Sequence, residues 1–331
     1  MVVDDELLPD VLPTDKLNTR AMATRDLRDE LRRISNVRSA CTVAGAVVMS
    51  FGVVGLAGYL HTWWAYLGAF VLMGRGHAAL TILGHEAAHR LLFSKRSWND
   101  AVGRWVLAYP TLQAMLAYRR SHVAHHRDEM GPEEPDLLLY AGYPVPPDSW
   151  RRKLRRDLLG VSAYKNVRAI FGAARDGASE ARQMLAVQAL LLGVSVIVMR
   201  PLMYVVWLLA WSTLWKMSNR LRSVAEHGGL IRSDDRRQTT HVIRQSLLAR
   251  FWMVPYNTGW HLAHHVDSGV PWRNLPRLHR ELVAAGWVVE GIEYPSYLAF
   301  WKAASSGTTT QERLEGADST RSSMLAFEHA D

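Results

Sequence analysis

The sequence predicts an all-α integral membrane protein, with four transmembrane helices and a cytosolic helical cap that holds a histidine-rich metal site. Three observations carry that expectation. Ser39 to Leu60 runs for 22 residues without a charge, which matches the ~20 residues a helix needs to cross a bilayer. Basic residues gather on one predicted side of the apolar segments. Eight of the 14 histidines fall in three clusters, His85/His89, His122/His125/His126 and His261/His264/His265.

Taken in order, residues 1–38 are polar and hold six arginines between Arg20 and Arg38. The first span is expected over 39–60; because a long polar segment precedes it, it reads as a retained anchor and not as a cleaved leader. A second span follows over 63–83, interrupted by Arg75 and His77, with Arg75 either snorkelling to an interface or facing the protein interior. Trp105 to Tyr118 is apolar but only 14 residues long and contains Pro110, so it is expected to be interfacial or re-entrant. Spans three and four are expected over 184–199 and 202–216, joined by a tight turn at Arg200-Pro201. The membrane domain thus covers 39–300, and residues 301–331, rich in Ser, Thr, Gly and Glu towards their start, read as a disordered tail.

Parity then places all three clusters on one side. The arginines before residue 39, the run Arg151-Arg-Lys-Leu-Arg-Arg156 and those from Arg220 to Arg250 lie on that same side, which makes it cytoplasmic in a cell membrane crossed several times. The net charge of +8 is accounted for by this bias and by attraction to anionic membrane lipid; no nucleic-acid recognition motif accompanies it. Trp63, Trp64, Trp98, Trp211 and Trp215 are expected near the interfaces. The single cysteine, Cys41, excludes a disulfide framework and a thiolate metal site.

The cluster spacings carry chemistry. Residues three or four apart share one helical face, so His85-Glu-Ala-Ala-His89 projects two rings together and each His-x-x-His-His run projects three. Eight convergent nitrogens exceed what one ion takes, which favours two metals. Nitrogen ligands suit zinc, copper or iron, and spacing does not choose among them. His85-Glu86-Ala-Ala-His89 also satisfies HExxH, in which two histidines bind zinc and the glutamate is the general base of a metalloprotease. That reading leaves both His-x-x-His-His groups unexplained. A non-catalytic metal-binding protein is a third reading, disfavoured because the clusters lie outside the membrane plane. His61, His77, His241 and His279 read as structural, although His77, two turns before His85, is also placed to line a tunnel; His329 reads as solvated.

Gly84-His-Glu-Ala-Ala-His89, Ser121-His-Val-Ala-His-His126 and Asn257-Thr-Gly-Trp-His-Leu-Ala-His-His265, in this order and with a hairpin between, resemble the histidine boxes of the integral-membrane fatty acid desaturase superfamily, which also holds hydroxylases and carotenoid ketolases. Val270 to His279 resembles the stretch after the third box in bacterial members, and Ala225-Glu226-His227-Gly228 the site of an extra histidine ligand. The resemblance implies two non-haem iron ions held by His85, His89, His122, His125, His126, His227, His261, His264 and His265, and O₂-dependent attack on an unactivated C–H bond. It implies a lipid acyl chain as substrate, carried as acyl-lipid, acyl-CoA or acyl carrier protein, with desaturation as the reaction and hydroxylation of a hydrocarbon or specialised metabolite as the alternative. Electrons then come from an external donor such as ferredoxin with its reductase, since no haem-binding module is fused here. Glu86, Asp136 and Glu226 are expected to orient imidazoles. Asn257, four residues before His261, shares its face if the helix is continuous. Ala263 stands where a polar side chain would have supported the third box. The basic run at Arg151 to Arg156 reads as a solvated face, or as a dock for an acidic carrier.

Overall fold

In the computed structural model, residues 1, 8 and 13–307 are described. Within them the chain is mostly helical, with one short two-stranded parallel sheet that pairs Val242–Ile243 with Glu293–Tyr294.

Helix α1 (Arg25–Leu31) leads into α2 (Asn36–Leu60) and α3 (Trp63–Ala88), an antiparallel hairpin turned by His61 and Thr62. Small residues at Ala46, Ala57, Ala65 and Ala69 bury the inner seam, while Val48, Leu56, Tyr59, Trp63 and Trp64 leave an apolar outer face exposed. A water-facing helix would not present such a face. Arg75 turns inward: its guanidinium lies 5.1 Å from the Phe251 ring and 5.9 Å from that of Tyr256.

The segment after α3 is irregular for a reason visible in the sequence. Helix α4 (Arg96–Ala101) runs into a π-helical turn at Val102–Ala108 and a 3₁₀ turn at Tyr109–Thr111 that ends at Leu112, φ 54°. Pro110 offers no amide proton to continue a helix, so Trp105 to Tyr118 is a broken connector and not one rod. Gly103 allows it to close on α3, because a Cβ there would come within 2.6 Å of the Ala87 side chain. Helix α5 (Met115–Arg127) is then fixed at its start, where Glu180 accepts from the Leu116 amide at 2.8 Å.

Helices α6 (Leu137–Tyr140), α7 (Pro147–Leu158) and α8 (Val161–Arg175) lead to α9 (Ser179–Ile197). The expected turn follows at Arg200-Pro201, with Arg200 Nε donating to the Gly58 carbonyl at 2.8 Å. Helix α10 (Leu202–Ala210) continues through a π-helical turn at Trp211–Trp215 into α11 (Lys216–His227). Among the described residues three helical segments are long and apolar enough to cross a membrane: Arg25–Leu60, of which α2 is the apolar part, Trp63–Ala88 and Ser179–Ile197. The expected fourth span differs, because the π turn leaves α10 only nine residues of α-helix. The same turn draws Trp211 and Trp215 inward; both are buried, not interfacial, whereas Trp63, Trp64 and Trp98 are exposed.

The remainder is the cap: α12 (Arg236–Thr239), α13 (Leu247–Trp252), α14 (His261–Val266), α15 (Leu275–Ala284) and α16 (Tyr297–Ala304). Two sequence boundaries shift here. Helix α16 runs through residue 301, and Val145 and Ala304 are joined by a backbone hydrogen bond of 2.9 Å, so the expected tail does not begin at 301; residues 308–331 lie outside the described part. At the other end, Leu17, Leu27 and Leu31 pack with Leu262, Leu275, Leu278 and Leu282, and Arg32 pairs with the buried Asp267 at 2.7 Å. The polar N-terminal segment is thus built into the cap. Leu278 is fully buried in this cluster, so Leu278→Ala is expected to cost roughly 2–5 kcal/mol, read as a lowered thermal midpoint of the purified protein with its helical content retained at low temperature.

Candidate metal centre

Four separate helix ends bring nine imidazoles together. His85 and His89 close the last turn of α3, whose terminal carbonyls at Ala87 and Ala88 are satisfied by Arg119 of α5 at 2.9 and 3.0 Å. Such end groups need partners once buried, so the same contact that caps α3 sets α5 across it. Helix α5 supplies His122, His125 and His126, α11 ends on His227, and α14 opens on His261 and carries His264 and His265.

The rings form two adjoining sets. His85, His89, His122 and His264 each offer a nitrogen within 4.8 Å of the others, and His126 Nε2 lies 3.2 Å from His122 Nε2 and 3.1 Å from His264 Nε2. In the second set His125, His227 and His265 converge in the same way, and His261 Nε2 stands 3.0 Å from Nε2 of both His227 and His265. His126 stacks on His265 with centroids 4.3 Å apart, so the sets share a wall.

The far side of the rings decides what these nitrogens can do. His227 Nδ1 donates to the Thr239 carbonyl at 2.7 Å, His265 Nδ1 faces a Glu129 oxygen at 2.5 Å, and His125 Nδ1 faces Glu134 at 2.6 Å. Those bonds place the proton of each neutral ring on Nδ1 and leave Nε2 as a lone pair. Lone pairs of His227 and His265 are then aimed at His261 Nε2, which carries one proton at most. A metal cation is what such a donor set fits. Burial, followed by the crowding of neighbouring rings, holds His122, His126, His227, His261, His264 and His265 well below the ordinary histidine value, and His89 is pushed down to about 4. Neutral rings are the ligand form. His125 differs: against the cost of burial, its bond to Glu134 and the charges of Glu134, Glu129 and Asp136 raise it.

The carboxylates that support the rings are only partly those expected. Glu226 lies 3.6 Å from His261 Nδ1 and pairs with Arg222 at 2.5 Å. Glu86 stands 3.8 Å from His85 Nδ1, with its other oxygen accepting from the Trp272 amide at 3.3 Å. Asp136 makes no hydrogen bond to an imidazole among the described residues; the side chain in that position is Glu134. Glu129 was missed altogether, although it binds His265, the Arg236 guanidinium at 2.7 Å and the Thr239 hydroxyl at 2.6 Å. The run of acidic residues after the second box, Asp128-Glu129 and Glu133-Glu134, was the available signal. Glu129 also answers the question raised by Ala263, which is fully buried in the cap core: the third box receives its carboxylate from the segment after the second.

Asn257 does not share a helix with His261. The chain turns at Tyr256 and Asn257, with φ 56° and 59°, and α14 starts only at His261; the Asn257 amide donates to the Trp272 carbonyl at 3.3 Å instead. The other histidines are structural. His77 Nε2 bonds the Trp207 carbonyl at 2.9 Å, deep between helices rather than on a tunnel wall. His241 bonds the Gly228 carbonyl at 2.9 Å, and His279 packs on Trp260. His61 is an exposed helix cap, and His329 lies outside the described residues.

Residues 61–296 match the fatty acid desaturase family, a span that takes in all nine rings. The chain belongs to that family. One relative, the dihydrorhizobitoxine desaturase of Bradyrhizobium elkanii, is 24% identical over 303 residues, covering 82% of this chain and 86% of its own. The chain is therefore a desaturase-type oxidoreductase by family, with a histidine cluster able to hold metal.

Because Glu129 and Glu134 fix the proton on Nδ1, Glu129→Gln and Glu134→Gln are each expected to weaken metal retention by roughly 10 to 100-fold, measured by metal analysis after graded chelator treatment. Asp136→Asn, lacking a ring contact, is expected to fall well short of that range.

Proposed function

We propose that the protein is an O₂-dependent oxidoreductase that removes hydrogen from an unactivated C–H bond, with desaturation as the reaction and hydroxylation the neighbouring outcome on the same scaffold. The observation that carries the reading is the pair of adjoining imidazole sets, each converging its ring nitrogens, in a chain of the desaturase family. His85, His89, His122, His126 and His264 would hold one iron ion, and His125, His227, His261 and His265 the other. Bound iron supplies the four-electron reduction of O₂ to two waters, two electrons and two protons coming from the substrate and two of each from outside.

The protein's own groups do the rest. Glu129, Glu134 and the Thr239 carbonyl hold ring protons at Nδ1, and Arg222 pairs with Glu226 beside His261. The external electrons are assigned to a ferredoxin with its reductase. Its dock is the exposed basic face of α7, where Arg151, Arg152, Arg155 and Arg156 reach solvent; complementary charge speeds such encounters. We place the chain in the cell membrane as a four-span protein with the site on the cytoplasmic side, α10 and its π turn forming the fourth span.

A zinc metalloprotease built on His85, Glu86 and His89 is opposed by the geometry. Glu86 is buried and held by the Trp272 amide, and both histidines converge with His122 and His264, which a protease would leave idle. The substrate is an acyl chain by family, or a specialised metabolite; the relative is named for dihydrorhizobitoxine.

Purified protein is expected to carry two irons per chain, and His125→Ala or His264→Ala to lose most metal and all turnover while remaining folded. A single tightly held zinc with peptidase activity would overturn the reading. For topology, with Cys41 replaced by Ala, a cysteine at Thr62 or Arg200 is expected to react with an impermeant thiol reagent from outside intact cells, and one at Asp128 or Ser268 only after lysis. External labelling at Asp128 would break the single-sided site.

A further inference from the structure

A cavity of about 350 Å³ opens from the imidazole sets, near the lower end of the roughly 300–1,000 Å³ of ligand pockets. His85, His122, His125, His227 and His261 stand on its inner wall. A site for an acyl chain has to offer apolar wall along the length of that chain, because each methylene left against polar groups forfeits its transfer energy. Here Leu112 and Leu139 are the only aliphatic side chains on the wall.

Tyr118, Tyr140, Trp211 and Trp215 add aromatic surface, and the remainder of the wall is polar. Thr81, Gln113 and Arg222 line the cavity, and each also keeps a buried polar atom, Thr81 Oγ1, Gln113 Oε1 and Arg222 Nε, with no hydrogen-bond partner among the described residues. They make this part of the wall polar. Lys216 lines the outer part, turned there by the π-helical segment before it. Its ammonium lies 4.3 Å from the Trp211 ring centroid and 2.9 Å from the Asn166 amide oxygen, in the amide orientation that satisfies both ends of Asn166. Among the described residues no carboxylate forms an ion pair with it; Asp157, whose charge acts on it from near the same opening, is taken by Arg220 and Ser162, and Asp136 and Glu226 stand elsewhere on the cavity wall. A second pocket of about 410 Å³ shares Lys216, Asn166 and Asn219 with it, and its wall includes Arg156, Lys165 and Arg220 together with Asp136 and Asp157. The way in is charged, which suits a solute better than a lipid tail.

We propose that this cavity takes a compact, water-soluble substrate bearing an anionic group such as a carboxylate, seated on Lys216 with Asn166 and Asn219, with its carbon chain directed at the histidines. The proposal rests on the reaction reading above and narrows it from an acyl chain to a small polar metabolite.

The test measures binding of hexanoate, its neutral isostere hexanamide, and dodecanoate to the full chain in lipid nanodiscs, with partition into protein-free discs subtracted. Hexanoate is expected to bind about tenfold or more tighter than hexanamide, since an ionised acceptor on an ammonium is the stronger bond. That preference is expected to vanish in Lys216→Met and to return in Lys216→Arg. Dodecanoate is expected to gain at most about threefold over hexanoate, because its added methylenes find little aliphatic wall. Equal binding of hexanoate and hexanamide, or a steep gain for dodecanoate, would overturn the assignment, and both comparisons are made in the unaltered protein if Lys216→Met fails to fold. Metal analysis of the same sample separates the two readings. A charge-selective cavity beside one zinc would sink the reaction and leave the substrate class standing; two irons beside a cavity indifferent to charge would do the reverse.

Discussion

Everything in the cap answers to one constraint: nine imidazoles, six of them buried and three half-buried, must present lone pairs to one another and keep their protons on the outside. Packed ionisable rings without charged partners or metal are unfavourable. The protein meets this from the far side of the rings, with Glu129 on His265, Glu134 on His125 and the Thr239 carbonyl on His227. Each of those acceptors has to be placed in turn. Glu129 is tied to Arg236 and to the Thr239 hydroxyl, so the segment after the second box, the one carrying α12 and the third box form a single hydrogen-bonded unit. Arg119, capping α3 while it aligns α5, serves the same end at the first box.

The two π-helical turns belong to this economy of position. Such turns, frequent at functional sites, shift the register of a helix without breaking it. At Trp211–Trp215 the shift carries two tryptophans from the outer face to the interior and puts Lys216 on the cavity wall, while the helix continues to His227. At Val102–Ala108, with Gly103 against Ala87, it presses the connector onto the end of α3 directly behind Glu86. Both deviations sit where a straight α-helix would have left a ligand or a wall residue pointing elsewhere.

What could be read in the sequence was what has a helical period. The three boxes, their mutual approach, the turn at Arg200-Pro201 and the apolar lengths of α2, α3 and α9 follow from spacing and composition. Contacts made by irregular backbone did not. The shared face of Asn257 and His261 depends on a continuous helix, which Tyr256 and Asn257 themselves interrupt. Asp136 was preferred to Glu134 and Glu129 because nothing local fixes which of several acidic residues in a Gly- and Pro-containing loop faces inward. Trp211 and Trp215 looked interfacial because a π turn has no signature in hydropathy. The N-terminal polar segment hid its role for a related reason: Leu17, Leu27 and Leu31 are too sparse to register as an apolar run, yet they close the core over α14 and α15.

The contrast between exterior and interior explains why apolar helices carry a polar cavity. On α2 and α9 the outward residues, among them Val48, Leu56, Leu190 and Ile197, are exposed and apolar, a surface suited to lipid. On α3 and the α10–α11 helix the inner faces are buried, with His77 bonded to Trp207 and Phe51 stacked on it at 4.7 Å. These contacts hold in fixed relation the two helices that end in His85/His89 and His227. The outer apolar faces and the inner cavity are therefore built from different residues in this fold. The outer helices fix the positions of the ligand-bearing ones, and the cavity beneath them is free to follow the chemistry of Lys216, Gln113 and Arg222 rather than that of the surrounding lipid.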